Sequence, residues 1–335
     1  MPVAVTPRGS GRFPEGRATS IVPNTPPTRT LDRREFLREG GGALAAMACS
    51  APAVRRALGA SRIAAPRIRF GYAAITWGGN DEQAIDDIAA LGFTGIQLRD
   101  SAVRRWGGTP EELKALLASR RLTFVALSSG SVTSDPTKLD ANLALHVEHA
   151  RFLRQAGGLY LQVTDERRAG RDPVADDYRR MGWALSELGR RTADIGITLA
   201  LHPHMGALSQ SPADVRRVMD ASDSRLVRLE LDVAHYAQAG GDPAEAVRSY
   251  AGRLLFLHIK DVESPAPGGK PDSYRFVELG RGKVDIPGVF AALQAVGFDG
   301  WAVVELDEVP DNARSPKASA EISKQYLRGL SLIEF

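Results

Sequence analysis

The chain has 335 residues, 43 Lys/Arg against 40 Asp/Glu, and a single cysteine, Cys49, so no disulfide can form within it and no thiolate metal site in residues 66–335. Its basic excess is confined to the start: residues 1–65 carry 10 Lys/Arg and 4 Asp/Glu, which leaves 33 and 36 for the remainder. A slightly acidic body argues against nucleic acid as substrate, because phosphate contacts call for a basic face.

The first segment, residues 1–65, is expected to be a signal and linker and residues 66–335 a single catalytic domain. Asp32-Arg33-Arg34-Glu35-Phe36-Leu37-Arg38 is a twin-arginine pattern, and a short apolar run from Gly40 to Ala48 follows it. The segment resembles a twin-arginine export signal, which implies the export machinery as a partner and a periplasmic or cell-envelope location. The run is too short for a membrane span, which takes ~20 residues. Processing is expected between Ala48 and Pro66. Ala46-Met47-Ala48-Cys49 is a loose match to the box before a lipidated cysteine, weak at its apolar position.

From residue 68 onward, β-rich apolar runs alternate with amphipathic or Ala/Leu-rich segments, the rhythm that forces parallel strand pairing. Strands are expected at residues 68–75, 94–99, 122–127, 158–163, 197–202, 226–232, 254–260 and 301–306. Helices are expected near 81–91, 109–120, 138–156, 173–195, 211–221, 243–251, 286–296 and 315–330. Thr109-Pro110, Ser211-Pro212 and Asp242-Pro243 each place a capping side chain before a proline in the first turn. Eight such units over about 270 residues predict a (β/α)8 TIM barrel.

Four strands in the second half end in residues suited to a divalent metal: His202, Asp232, His258 and Glu305. In this fold the carboxyl ends of the strands converge at one mouth, where the chemistry is kept. Side chains two apart share a face, so His204 points with His202, Lys260 with His258, and Glu230 with Asp232. Burying such groups is costly unless they are paired or metal-bound. The donor set suits one divalent ion, Mn, Co, Zn, Fe or Mg. Glu230 is expected to support the ligands, partnered by Arg228 or a ligand histidine.

ALHPHMG, LDVAH, HIKDV, ELGRGKVDIPGVFAAL and GFDGWAVVELDE resemble the second half of the sugar phosphate isomerase/epimerase superfamily, the xylose isomerase-like barrels, and within it the inosose dehydratases. The resemblance spans nearly all of residues 68–310. It implies metal ligation by Asp232, His258 and Glu305. His202 stands where many members have a glutamate ligand; in ketose 3-epimerases that glutamate and the one on the eighth strand form a two-sided proton-transfer pair. One-base isomerisation or elimination therefore fits this chain better than two-base epimerisation.

The chemistry expected is enolisation of a keto sugar, keto-inositol or keto-glycoside, then isomerisation or loss of a β-substituent. Glu305 is the expected base, with Lys260 and His235 as further catalytic groups. Substrate contacts are expected from His204, Trp77, Gln97, Gln162 and Arg281, with Trp106 and Thr164 as weaker candidates. Gly280-Arg281-Gly282 offers turn amides to a phosphate, although such turns are more often only turns. The Pro/Gly-rich loop from Asp261 to Arg281 is long enough for a lid. An exported enzyme would meet few phosphorylated sugars, so an unphosphorylated carbohydrate or polyol is expected. Two other classes compete: a non-catalytic exported carbohydrate-binding protein, and an apurinic endonuclease-like hydrolase, which the acidic body disfavours. A homo-oligomer is left open.

Overall fold

A computed structural model describes residues 67–332, apart from 168, 169, 271 and 272. The arginine pair Arg33-Arg34 and Cys49 lie outside the described residues.

Strands buried on both faces need helices on one side and a filled lumen on the other. In chain order the elements are β1 (Ile68–Ala73), α1 (Asp81–Ala90), β2 (Gly95–Arg99), α2 (Asp100–Trp106), α3 (Pro110–Ser119), β3 (Thr123–Val132), α4 (Leu139–Gln155), β4 (Tyr160–Asp165) and α5 (Ala175–Ala193). Then come β5 (Thr198–Leu201), α6 (Pro212–Ala221), β6 (Val227–Asp232), α7 (Val233–Gln238), α8 (Pro243–Ser249), β7 (Leu254–Ile259), β8 (Asp261–Glu263), β9 (Arg275–Val277), α9 (Ile286–Ala295), β10 (Gly300–Val304) and α10 (Pro316–Gly329). All eight expected strands are present and close into a parallel barrel in the order β1-β10-β7-β6-β5-β4-β3-β2. The fold is the (β/α)8 barrel. Among the described residues no helix is long and apolar enough to cross a membrane.

Two of the three expected caps form. Ser211 accepts from the Asp214 amide and Asp242 from those of Ala244 and Glu245, whereas the Thr109 side chain makes no capping bond. The expected loop from Asp261 to Arg281 contains the antiparallel pair β8–β9.

The lumen beneath the mouth is filled by a second, smaller cluster that includes Val125, Phe256, Trp301 and Val303. Tyr160 stacks on Phe256 with ring centroids 5.5 Å apart. Gly95 admits the Trp301 ring, since a Cβ there would lie 2.4 Å from it. This floor stops water from entering the barrel below the strand ends and gives the polar layer above it a fixed base.

Candidate metal centre at the barrel mouth

Register sets which side chains meet. Asp232 pairs with His258 across β6 and β7. The ladder runs one residue past two strands: the His202 amide donates to Val163 O at 2.8 Å and the Glu305 amide to Ile259 O at 3.1 Å. Those bonds fix residues that would otherwise be loop, and the four expected ligands come together in one buried layer.

Their free donor atoms converge. His202 Nε2, Asp232 Oδ2, His235 Nε2, His258 Nδ1 and both oxygens of Glu230 are buried with no hydrogen-bond partner. Three overlapping sets have ligand atoms within 4.8 Å of one another: His202, Asp232 and His235; His202, Glu230 and His258; Asp232, His258 and Glu305. His258 Nδ1 lies 3.2 Å from Glu230 Oε1, 3.6 Å from Asp232 Oδ2 and 3.4 Å from Glu305 Oε2. Its other nitrogen donates to Gln97 Oε1 at 2.9 Å, the tautomer that leaves Nδ1 a lone pair for a metal. Asp232 divides its work in the same way. Oδ1 accepts the amides of Ala234 and His235 and so caps α7, while Oδ2 faces the centre.

Charge points the same way. Glu230, Asp232 and Glu305 are buried within one layer, where Lys260 is the one buried lysine among the described residues. Burial pushes Glu230 up to about 8, helped by the neighbouring carboxylates Asp232 and Glu305 against the opposing effect of His258. For His258 burial opposes the imidazolium, but the carboxylates of Glu230, Glu305 and Asp232 outweigh it and push it up to about 9. Burial alone would raise Asp232, yet His235 and Lys260 hold it well below the usual carboxylate range. Burial lowers His202 and His235 far below the ordinary imidazole value. An excess of buried carboxylate, with the neutral imidazoles of His202 and His235 beside it and orphaned donors aimed at one point, is a donor set that fits a divalent cation.

Lys260 is fully buried. Its ammonium donates to Glu305 Oε1 at 3.0 Å and Asp307 Oδ1 at 2.5 Å, and lies 3.9 Å from the centroid of the Phe276 ring on β9. Burial would strip its proton, but the carboxylates of Glu305, Asp232 and Asp307 hold it well above its usual value. It therefore fixes one oxygen of Glu305 from behind and does not line the cavity. His235 is also behind the cavity, its Nδ1 accepting the Met205 amide at 3.4 Å and its ring 3.9 Å from that of His204. His204 does line the cavity, with Nδ1–H donating to Met205 O at 2.7 Å.

A cavity of about 330 Å³ opens above this layer, lined by Gln97, Gln162, His202, His204, His258, Glu305 and Asp307 among others. Gln162 lines it too, but its Nε2 lies 2.5 Å from His202 Nδ1, so both glutamines are turned toward the histidines.

Three expected substrate contacts are corrected by the structure. Trp77 is buried in a 3-10 turn, its indole N–H donating to Asp87 Oδ2 at 2.9 Å and its ring edge-on to Tyr72. Trp106 likewise belongs to the outer core. Arg281 lies outside the cavity and faces Glu278 at 3.5 Å. The Gly280-Arg281-Gly282 turn has no amides to spare for phosphate, because the Asp261 carboxylate accepts from the amides of Gly280, Gly282 and Val284.

Residues the sequence did not bring forward are Phe276, Asp307, Arg99 and Arg167. Asp307 shares a face with Glu305 in the run Glu305-Leu306-Asp307, which was a readable signal. Glu230 has its histidine partners, and Arg228 is not one of them.

A parallel eight-stranded barrel with a His/carboxylate layer at the carboxyl ends of strands five to eight defines a recognisable class of barrel. The chain belongs to the xylose isomerase-like TIM barrel family, whose profile matches residues 85–329. It is 26% identical over 293 residues to an inosose dehydratase of Lacticaseibacillus casei, covering 78% of this chain and 96% of that protein. It is 27% identical over 293 residues to the rhizopine catabolism protein MocC of Rhizobium meliloti, covering 78% and 87%. Among solved structures, an IolI protein with a bound zinc atom superposes with a TM-score of 0.66 at 16% identity, covering 79% and 98%. An L-ribulose 3-epimerase gives 0.64 at 20% identity, covering 79% and 95%.

Proposed function

We propose that this protein is a divalent-metal-dependent enzyme that enolises a keto sugar, keto-inositol or keto-glycoside and then isomerises it or eliminates a β-substituent. The observation that carries the reading is the convergence of unpartnered His202, Glu230, Asp232 and His258 atoms beside the Glu305 carboxylate at the cavity floor. The relatives named inosose dehydratase support the substrate class.

His202, Asp232, His258 and Glu305 would hold the cation, which would supply Lewis acidity to a carbonyl and its neighbouring hydroxyl. The chain's own residues do the rest. Glu305 lines the cavity with Oε1 held by Lys260, which leaves the carboxylate oriented to take a proton from the carbon between those oxygens. Burial would raise Glu305, but His258 and Lys260 keep it below its usual value, so it is ionised and ready at neutral pH. Gln97 holds His258 in its working tautomer, and His204 presents Nε2 to the cavity for a substrate hydroxyl. Asp307 lines the cavity beside the base with Oδ1 held by Lys260, and burial raises its carboxyl, so it is positioned to move a proton to a departing hydroxyl.

The test is elemental analysis of the purified protein, followed by deuterium exchange into a panel of keto sugars and inososes. About one divalent ion per chain with exchange of the hydrogen α to the carbonyl is expected. A protein that binds the panel without exchange is the non-catalytic binding protein instead.

The same proposal includes export by the twin-arginine route, motivated by Arg33-Arg34 and the apolar run behind them. Arg33→Lys with Arg34→Lys should retain an uncleaved precursor in the cytoplasm. Normal processing of that double variant would remove export from the proposal.

A further inference from the structure

The cavity is chemically two-sided. In the closed strand order, β2 stands across the barrel from β6, β3 from β7 and β4 from β10. The His/carboxylate layer occupies the β5 to β10 side. On the far side the cavity is lined by Arg99 at the end of β2 and Arg167 just after β4, with Ser128, Ser131 and Thr164 between them. Arg99 thus faces the strand of Asp232, and Arg167 the strand of Glu305.

Neither guanidinium has an ion pair or side-chain hydrogen bond among the described residues. The acids beside them in sequence are engaged elsewhere. Asp100 pairs with Arg104. Glu166 accepts from Thr133 Oγ1, the Ser134 amide and Ser134 Oγ. Of the other acids that line the cavity, Asp165 is held by the amide and hydroxyl of Ser209 at 2.6 and 2.7 Å, and Asp307 by Lys260. Burial pushes Asp165 up to about 7, which weakens it further as a partner for Arg167. Asp81 lies within electrostatic reach of Arg99 without pairing to it.

The carboxylate neighbours are present but turned away, and two forks remain for something that enters the cavity. A guanidinium recognises planar or tetrahedral oxyanions by paired N–H donors.

We infer that the substrate carries an anionic oxygen-rich group, a carboxylate or a phosphate, which docks between Arg99 and Arg167 while its carbonyl end lies against the His202–Asp232–His258–Glu305 layer. The inference rests on the proposed enolisation and narrows its substrate class from neutral ketoses to acidic ones. The hydroxyls of Ser128, Ser131 and Thr164 complete the cradle, and the cavity is at the lower end of the ~300–1,000 Å³ typical of small-molecule sites, room for one sugar-sized ligand.

The test uses the full protein with its native metal and three matched ketoses: D-fructose, D-fructuronate and D-fructose 6-phosphate. Binding is read by calorimetry, and deuterium exchange is followed in parallel. At least one of the two anions should bind about tenfold or more tighter than fructose, the size expected for a charge-assisted fork. That ratio should fall toward one in Arg99→Gln and in Arg167→Gln. Fructuronate alone showing the preference assigns a carboxylate site; fructose 6-phosphate alone assigns a phosphate site. Equal binding of all three, binding of none, or a preference that persists in Arg99→Gln/Arg167→Gln overturns the inference. Exchange without anion preference leaves enolisation standing and removes only this narrowing, whereas anion preference without exchange does the reverse.

Discussion

The carboxylate of Glu230 faces the imidazole of His258 across neighbouring strands, Oε1 to Nδ1 3.2 Å, with neither atom in a hydrogen bond. Two polar groups this deeply buried and this close, yet unbonded, are held apart for a third body. Asp232→Ala and His258→Ala should each strip the bound metal and leave a folded barrel, because both side chains stand above the aromatic floor that carries the packing. Glu230→Gln should weaken metal affinity by about 10- to 100-fold, the range seen when a ligand's supporting carboxylate is lost. Chelator competition followed by elemental analysis reads all three. Undiminished metal in Asp232→Ala and His258→Ala would remove these residues from the centre.

The strand rhythm was legible because parallel strands buried on both faces leave long apolar runs, and ligand positions were legible because they cluster at the ends of those runs. Distances across the mouth were not. Whether Glu230 would find Arg228 or a histidine depends on the β6–β7 register, which pairs Asp232 with His258 and leaves no trace in local pattern. Trp77 misled for a related reason: a residue just past a strand points inward or outward according to the turn, and the 3-10 turn at Ala74–Trp77 sends the indole to Asp87. The helices Asp100–Trp106 and Val233–Gln238 left no local signal because each starts on the residue directly after its strand, with no loop to announce it.

The Gly280-Arg281-Gly282 turn gives a second test. A Cβ on Gly282 would lie 2.2 Å from Asp261 Oδ1, the carboxylate that collects the turn's amides. Gly282→Ala should therefore cost about 1–3 kcal/mol through overcrowding. Gly108→Ala is the control, since nothing lies within 4 Å of its would-be Cβ. Urea midpoints should fall clearly for the first variant and stay level for the second. Equal midpoints would mean the Asp261 cradle is not rigid.

On the helix-facing side of β3, Ser129 Oγ lies 2.7 Å from both His146 Nδ1 and His149 Nδ1, and His146 Nε2–H donates to Ser131 O at 3.2 Å. One proton order satisfies all three bonds: His149 Nδ1–H donates to Ser129, and the Ser129 hydroxyl donates to His146. Both rings are then neutral. Burial lowers His146 to about 4, so the unfolded chain takes up this proton first, near pH 6.5. The stability it contributes is present above about pH 6.5 and is lost as pH falls toward 4, at most about 3 kcal/mol. His146→Gln should flatten the stability curve over that window relative to the parent protein in denaturant titrations. Parallel curves for the two proteins would place the acid sensitivity elsewhere.

The sharpest prediction separates reaction types within one family. His202 sits on the mouth beside Glu230 and Asp232, with Nδ1 3.1 Å from Glu230 Oε2 and Nε2 3.8 Å from Asp232 Oδ2, so it is placed to bind metal and poorly placed to act as a free base. Of the two cavity carboxylates that Lys260 holds, Glu305 is kept below its usual value and Asp307 is raised, so Glu305 is the expected base. A single base returns a proton to the face it came from, so the products should be solvent-exchanged substrate or an elimination product. His202→Glu should keep metal, since carboxylate is a ligand as well, while shifting the partition between elimination and reprotonation. Glu305→Gln should lower α-hydrogen exchange by about 10²–10⁴-fold, the usual worth of a positioned base, and retain part of the metal. Exchange at the parent rate in Glu305→Gln, or efficient epimerisation of a ketose in both directions by the parent protein, would show that a second base works on the opposite face.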